Sequence, residues 1–481
     1  MTNDKVKPAP QSPYVSHRRA MPNRQAIALI SDHGDPAAEI GKEQAGGQNV
    51  YVRQIGEALA KLGWQVDMFT RKVKPDDARI VQHSPHCRTI RLVAGPEEFV
   101  HRDQVFQYMP DFVEAFLKFQ AKEGTNYPLV HSHYWMSAWI GLQLKELQNV
   151  QLVHTYHSLG AVKYQAVQQR PPIANRRLEI EQQILEQANC IVATSPQEEE
   201  SLRSLVSSSG RIEVIPAGTD VENFHSIPKQ EARVKLGFKP NEAIVLYVGR
   251  FDPRKGIETL VRAVAELKAR TAQQQEVLVS SNGNGLHPTS PLSHPPVRLV
   301  IVGGSESGQP DGEERERIEK IVNDLGLAEQ TVFAGRVGHD LLPLYYTAAD
   351  VCAIPSHYEP FGLVAIEAMA CGTPVVAASV GGLKFTVVHE ETGLLVPPQD
   401  VTGFAEAIER ILVDELWARK LRRQAPLRVQ QNFSWSGVAA RLSDLYRRLL
   451  AESISGEMML EPSIVAQPSS EIYTARKKAS A

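Results

Sequence analysis

Two carboxylates, Glu359 and Glu367, lie in the stretch SHYEPFGLVAIEAMAC that runs from Ser356 to Cys371. A short apolar run, Val351 to Ile354, ends just before it, and the pattern predicts a helix from about Phe361 or Gly362 to Ala370. The first amides of such a helix point back toward the strand end and favour an anion. Gly362 lets a ligand approach the backbone closely. Glu359 falls in the loop and Glu367 inside the helix, so the two can reach different parts of one long ligand. Upstream, YVGRFDPRKG (Tyr247 to Gly256) ends another apolar run and leaves Arg250 and Lys255 in the turn that follows. Two cations at the carboxyl end of a parallel strand suit a diphosphate. Taken alone, each of these residues reads equally as an ordinary charge on a loop or helix surface.

A second group lies in the N-terminal half. Ser31 to Tyr51 contains HGDP and then AGGQNVY. Gly46 and Gly47 permit a tight backbone, whether for a ligand or for a plain turn. Gln48 offers amide donors and an acceptor, which suits a sugar. His157 sits in VHTYHSLGAVK, and Lys163 closes that stretch. Arg177, with Arg176 beside it as a substitute, lies in NRRLEIEQQI, and Arg102 in FVHRDQ. A lone histidine is more often structural than chemical, and each cation also reads as a surface charge.

The elements that must position these residues alternate strand and helix. Ala26 to Ser31 is a buried strand; a helix over Val50 to Leu62 is stopped at Gly63; Gln65 to Phe69 is the next strand. Further strands are expected at Leu129 to His131, Gln151 to His154 and Cys190 to Thr194. A second set begins at Ala243 and continues at Val297 to Val302, Thr331 to Ala334, Val351 to Ile354 and Pro374 to Ala378. The alternation argues for parallel sheets wound on both faces, hence two Rossmann-like α/β domains. We place the first at 24–220 and the second at 221–433, with the boundary in the polar stretch Pro216 to Gly237. A helix at about 434–452 is expected to pack back on the first domain, and 1–23 and 453–481 read as flexible tails. Leu278 to Pro296, rich in Ser, Gly, Asn and Pro, reads as a surface insertion.

Composition narrows the classes. The 481 residues are 42% apolar with a net charge of -3, so no global basic field recruits nucleic acid or anionic membrane. Cys87, Cys190, Cys352 and Cys371 form no CxxC pair and are expected to be buried free thiols, in keeping with a reducing cytosol. No run approaches the roughly 20 apolar residues that span a bilayer. No DxD-like metal motif is compelling, and a cytoplasmic, membrane-free enzyme is expected.

GRFDPRKG followed by EPFGLVAIEAMACGTPVVA resembles the donor-site signature of the retaining GT-B glycosyltransferases, which include sucrose-phosphate synthase, sucrose synthase and glycogen synthase. The resemblance covers the chain from Ala26 to about Leu450. It implies a GT-B fold, two facing Rossmann-like domains. It further implies that Arg250 and Lys255 hold the donor diphosphate, that Glu367 binds the ribose hydroxyls, and that Glu359 faces the transferred sugar. Amides at Phe361, Gly362 and Leu363 would lie nearby, Ala334 to Val337 would line the base, and Gly47 would border the donor. His157 would bond the 6-hydroxyl of the reacting sugar. Gly46 and Gln48 resemble the GGQ loop of sucrose-forming enzymes. Lys163, Arg177 and Arg102 would meet a phosphorylated acceptor, although Arg102 stands where lysine is expected. The implied reaction moves glucose from UDP-glucose or ADP-glucose to fructose 6-phosphate. It requires no cofactor, Mg2+ being at most stimulatory, and a separate phosphatase would act on the product. Free fructose, an inositol phosphate or lipid acceptor, and a noncatalytic nucleotide-sugar sensor are the competing readings.

Overall fold

Short runs of aliphatic and β-branched residues become the strands of two sheets. The structure, a computed structural model, describes residues 24–38, 47–165, 170–281, 294–304 and 312–460. Eight strands build the first sheet: β1 (Ala26–Ile30), β2 (Gln65–Arg71), β3 (Ile80–Ser84), β4 (Cys87–Leu92), β5 (Leu129–His133), β6 (Gln151–Thr155), β7 (Cys190–Ala193) and β8 (Ile212–Val214). Their order is β3-β4-β2-β1-β5-β6-β7-β8, and only the β3–β4 pair is antiparallel. The second sheet holds β9 (Ala243–Val248), β10 (Val297–Val302), β11 (Thr331–Gly335), β12 (Val351–Ile354), β13 (Val375–Ala378) and β14 (Gly393–Val396). It is wholly parallel, in the order β11-β10-β9-β12-β13-β14.

Both faces of each sheet are covered at its centre, which is why strands such as β1 and β9 are continuous apolar runs instead of alternating. Along β1, Ile27 and Leu29 enter one core while Ala28 and Ile30 enter another. Along β9, Ile244 and Leu246 face one cluster, and Ala243, Val245 and Tyr247 the opposite one. The strand order reverses between β1 and β5 in the first sheet and between β9 and β12 in the second. Crevices outside the carboxyl ends of such switch points take ligands in doubly wound sheets.

The helix Trp435–Leu460 returns to the first domain and lies against the helix Gly47–Lys61. Trp64 Nε1 donates to Ser443 Oγ at 2.9 Å, and His131 Nδ1 meets Tyr446 Oη at 2.6 Å. This helix runs to Leu460, eight residues past the expected end at 452, so the expected tail begins inside it. The expected boundary stretch contains a helix, Lys229–Leu236, closed by Gly237. Residues 1–23, 282–293 and 461–481, which hold most of the expected tails and insertion, lie outside the described residues. All four cysteines are buried and free. Among the described residues no helix is long and apolar enough to cross a membrane, and no cluster of three or more His, Cys, Asp or Glu could hold a metal.

Candidate active site

The donor side is built from the loops that leave β9 and β12. After β9, Asp252 caps a single 3-10 turn, Pro253–Lys255, by accepting from the Arg254 amide. Gly256 ends the turn with φ +66°, and a Cβ there would sit 2.2 Å from the Pro355 carbonyl oxygen. Only glycine lets the two loops pack this closely. The packing brings Lys255 Nζ to 2.6 Å from Glu359 Oε2, with both side chains partly exposed to the cleft. Arg250 is exposed; its carbonyl accepts from the Tyr247 hydroxyl at 3.0 Å, and its guanidinium makes no hydrogen bond or ion pair among the described residues. After β12, Phe361 is buried, Gly362 takes φ +96°, and the helix Leu363–Ala370 begins. Glu367, on the second turn, accepts from the Tyr346 hydroxyl at 2.8 Å and lies 4.0 Å from His339 Nε2. Burial pushes its carboxyl up to about 7, against the opposing bond from Tyr346. Val337, half-buried, packs on the core beside this helix. Lys255 and Glu359 are thus brought together, and Glu367 stands apart, deeper in the domain.

The acceptor side is built from the loops that leave β1, β5 and β6. Gln48, in the first turn of its helix, donates to Ser31 Oγ at 2.9 Å and reaches the His133 carbonyl at 3.4 Å. His157 follows β6 with φ +57°, a left-handed conformation uncommon outside glycine. Its Nε2 lies 3.0 Å from His133 Nδ1. Burial and the nearby His33 hold the His157 imidazole down at about 3, so it is neutral at physiological pH. Lys163, half-buried, ends the short helix Gly160–Lys163. Arg102 begins the helix Arg102–Val105, but its side chain and all of Gly46 lie outside the described ones.

Arg177 sits deeper than a surface cation would. Its side chain is only 2% exposed, and it does not offer a free fork to an acceptor. Nε pairs with Glu181 at 2.7 Å, Nη1 donates to the Tyr134 hydroxyl at 3.1 Å, and Nη2 donates to the Ser158 carbonyl at 2.5 Å. Glu181 also accepts from the Gly160 amide at 2.9 Å. The RRxxxE spacing therefore makes an i, i+4 pair that braces the loop between His157 and Lys163 from behind. Arg176 is exposed beside Glu179.

Several site residues went unread in the sequence. Asp32 is fully buried and accepts from Ser137 Oγ at 2.6 Å, with His33 Nδ1 at 3.3 Å from its other oxygen. Tyr358, in the loop after β12, comes close to Ser158 and Leu159 of the first domain. Gly47 faces the same way, since a Cβ there would meet Leu363 Cδ1 at 3.1 Å. Of the first pair, HGDP contains His33 but not Asp32. Nothing in the chain distinguishes Tyr358, because its partner is some 200 residues away in sequence.

The arrangement sets a cationic, anion-receptive face opposite a polar, imidazole-lined face. Comparison with known proteins identifies the family. Residues 228–428 match the family described as glycosyl transferases group 1, and residues 46–218 match the glycosyl transferase 4-like domain. A solved sucrose-phosphate synthase from Thermosynechococcus elongatus is 52% identical, with a TM-score of 0.79 over 89% of this chain and 100% of that one. A D-inositol 3-phosphate glycosyltransferase from Corynebacterium jeikeium is 35% identical over 90% of this chain and 98% of its own length. Anabaena HepE, solved with UDP and glucose, shares the fold at 19% identity and a TM-score of 0.65, covering 88% of this chain and 99% of that one. The chain belongs to the group 1 glycosyltransferases, as a GT-B hexosyltransferase of the sucrose-phosphate synthase type.

Proposed function

We propose that the enzyme transfers glucose, with retention of its α configuration, from UDP-glucose or ADP-glucose to fructose 6-phosphate, giving sucrose 6-phosphate. The observation that carries this reading is the 52% identity to a sucrose-phosphate synthase across the whole of that chain. Gln48 on the acceptor face supports it. In the reaction the bond from the anomeric carbon to the diphosphate breaks, and a bond to the acceptor hydroxyl forms on the same face. The hydroxyl proton passes to the departing phosphate oxygen. Arg250, Lys255 and the amides at the start of the helix Leu363–Ala370 stabilise the charge that develops there. One Glu359 oxygen is already engaged by Lys255, which suits positioning better than nucleophilic attack. Glu367 takes the ribose hydroxyls, and His157 the sugar. Lys163 and Arg102 are the cations assigned to the acceptor phosphate, and Arg177 braces the loop that ends at Lys163. A phosphatase for sucrose 6-phosphate is the expected downstream partner.

The 35% identity to inositol 3-phosphate glycosyltransferases over 90% of the chain favours a second reading, in which the phosphorylated acceptor is a cyclitol. Product analysis separates the two. The enzyme is incubated with UDP-glucose or ADP-glucose against fructose 6-phosphate, fructose and inositol 3-phosphate, and products are read by mass spectrometry and anomeric proton NMR. Charge-assisted bonds to the phosphate should favour fructose 6-phosphate over fructose by at least ~100-fold in kcat/KM. Equal use of both would remove the phosphate subsite. Exclusive use of inositol 3-phosphate would overturn the sucrose assignment and leave the transferase.

A further inference from the structure

His133 is the last residue of β5 and is fully buried, yet it touches both halves of the acceptor face. Its carbonyl accepts from Gln48 at 3.4 Å, and its Nδ1 lies 3.0 Å from His157 Nε2. The ring has no room to turn. His131 stacks on it with ring centroids 4.2 Å apart, and the edge of Tyr51 closes on it at 5.7 Å. His131 is itself pinned by Tyr446 Oη at 2.6 Å and Thr155 Oγ1 at 2.9 Å. Tyr446 belongs to the helix that returns from the second domain. A continuous set of contacts thus runs from that helix to His157.

We propose that His133 is a positioning residue for His157, fixing both its ring orientation and its tautomer. The inference rests on the reading that His157 lies beside the reacting sugar. The proton inventory decides the tautomer. His133 Nε2 is buried with no hydrogen-bond partner. If His157 donated to His133 Nδ1, the neutral His133 would carry its own proton on Nε2, and a buried N–H would be left without an acceptor. The opposite arrangement leaves only a lone pair unmatched, which is the less expensive orphan. His133 Nδ1–H therefore donates to His157 Nε2, and His157 carries its proton on Nδ1. That nitrogen, with no partner among the described residues, is the donor presented to a sugar hydroxyl. Burial holds both rings neutral, so the bond needs no ion pair.

The test is a double-mutant cycle. His133→Leu keeps the apolar volume and removes the hydrogen bond; His133→Asn keeps a donor near the Nδ1 position. Losing the alignment of His157 should lower kcat by roughly 100-fold in His133→Leu, with the KM for donor within about 3-fold, and His133→Asn should recover to within about 10-fold of wild type. In a His157→Ala background, adding His133→Leu should change kcat by less than about 2-fold, because a residue acting only through His157 has nothing left to act on. Additive losses, or equal losses in the Leu and Asn variants, would show a merely structural histidine and overturn the proposal. If His157→Ala alone left kcat unchanged, the reading of His157 would fail instead, which is a separate result.

Discussion

Glu367, the carboxyl assigned to the ribose, also bears on stability. It is buried with the Tyr346 hydroxyl as donor and His339 4.0 Å away, and its carboxyl is pushed up to about 7. A group whose folded-state pKa is raised favours folding fully only below the unfolded value, here 4.5, and that contribution is lost as pH rises through 7. The ionised form that would take the ribose hydroxyls is therefore the form the empty protein tolerates least. Glu367→Gln keeps an acceptor for Tyr346 without the charge. Above pH 7 it should stabilise the unliganded protein by up to on the order of 3 kcal/mol, read as a higher Tm at pH 8, with the gap closing by pH 5. Donor binding should weaken at the same time. A Tm difference that did not change with pH would mean that desolvation of this carboxyl is not the cause. At this scale the sequence was readable where residue type and spacing sufficed: two motifs that each follow a strand were read as one site, while the direct Lys255–Glu359 pair was not foreseen. The direction of the Arg177 side chain was not legible because RRxxxE admits two geometries. Spacing alone does not say whether the arginine turns outward to an anion or inward to Glu181.

At the scale of elements, apolar runs announced the central strands, because a parallel sheet buried on both faces needs them. The antiparallel pair β3–β4 and the short edge strands β8 and β14 were not expected. The burial patterns of β3 and β8 contain no fully buried residue, so they lack the apolar density that marks the centre of a sheet. The helix Gly47–Lys61 was legible as a stripe of Ile55, Leu59 and Leu62; the first two are fully buried, while Leu62 lies past the helix end and is 40% exposed. Its starting residue was legible only as a glycine. The structure gives the reason, since the helix start approaches Leu363 at the head of the donor helix, and a Cβ would stand 3.1 Å from Leu363 Cδ1. Gly47→Val should obstruct this approach without touching the donor loops. We expect kcat/KM to fall at least ~10-fold while nucleotide alone binds within about 2-fold, and Leu363→Ala to restore part of the loss. Full activity in Gly47→Val would mean that this contact is not kept during turnover.

For the whole molecule, the two sheets could be counted in the sequence, but their mutual placement could not. That placement depends on contacts between segments hundreds of residues apart. The chain passes between the domains near Thr219 and again near Ser434, and the two passages are joined as a bridge, with the Thr219 amide donating to the Phe433 carbonyl at 2.7 Å. Gly218 sits inside this junction. A Cβ there would lie 2.8 Å from Cδ2 and Cε3 of the Trp435 ring and 3.0 Å from the Trp435 amide nitrogen. Trp435 in turn meets the edge of Tyr51 with ring centroids 5.5 Å apart, and Tyr51 meets His157 at 4.9 Å. The hinge and the reacting face are therefore separated by two aromatic rings. Gly218→Val cannot be absorbed by a flexible side-chain end, because backbone and indole block it, so the passages must separate and the domain angle must change. Each domain keeps its own sheet and core, so nucleotide binding, confined to the second domain, should stay within about 3-fold of wild type. Transfer needs both faces in register, and kcat/KM should fall at least ~30-fold. Small-angle scattering should show a domain separation different from wild type when nucleotide and acceptor are both present. Were transfer intact in Gly218→Val with an unchanged scattering profile, the junction would be no more than a linker, and the register of the two faces would have to be set across the cleft by Tyr358 and Gly47.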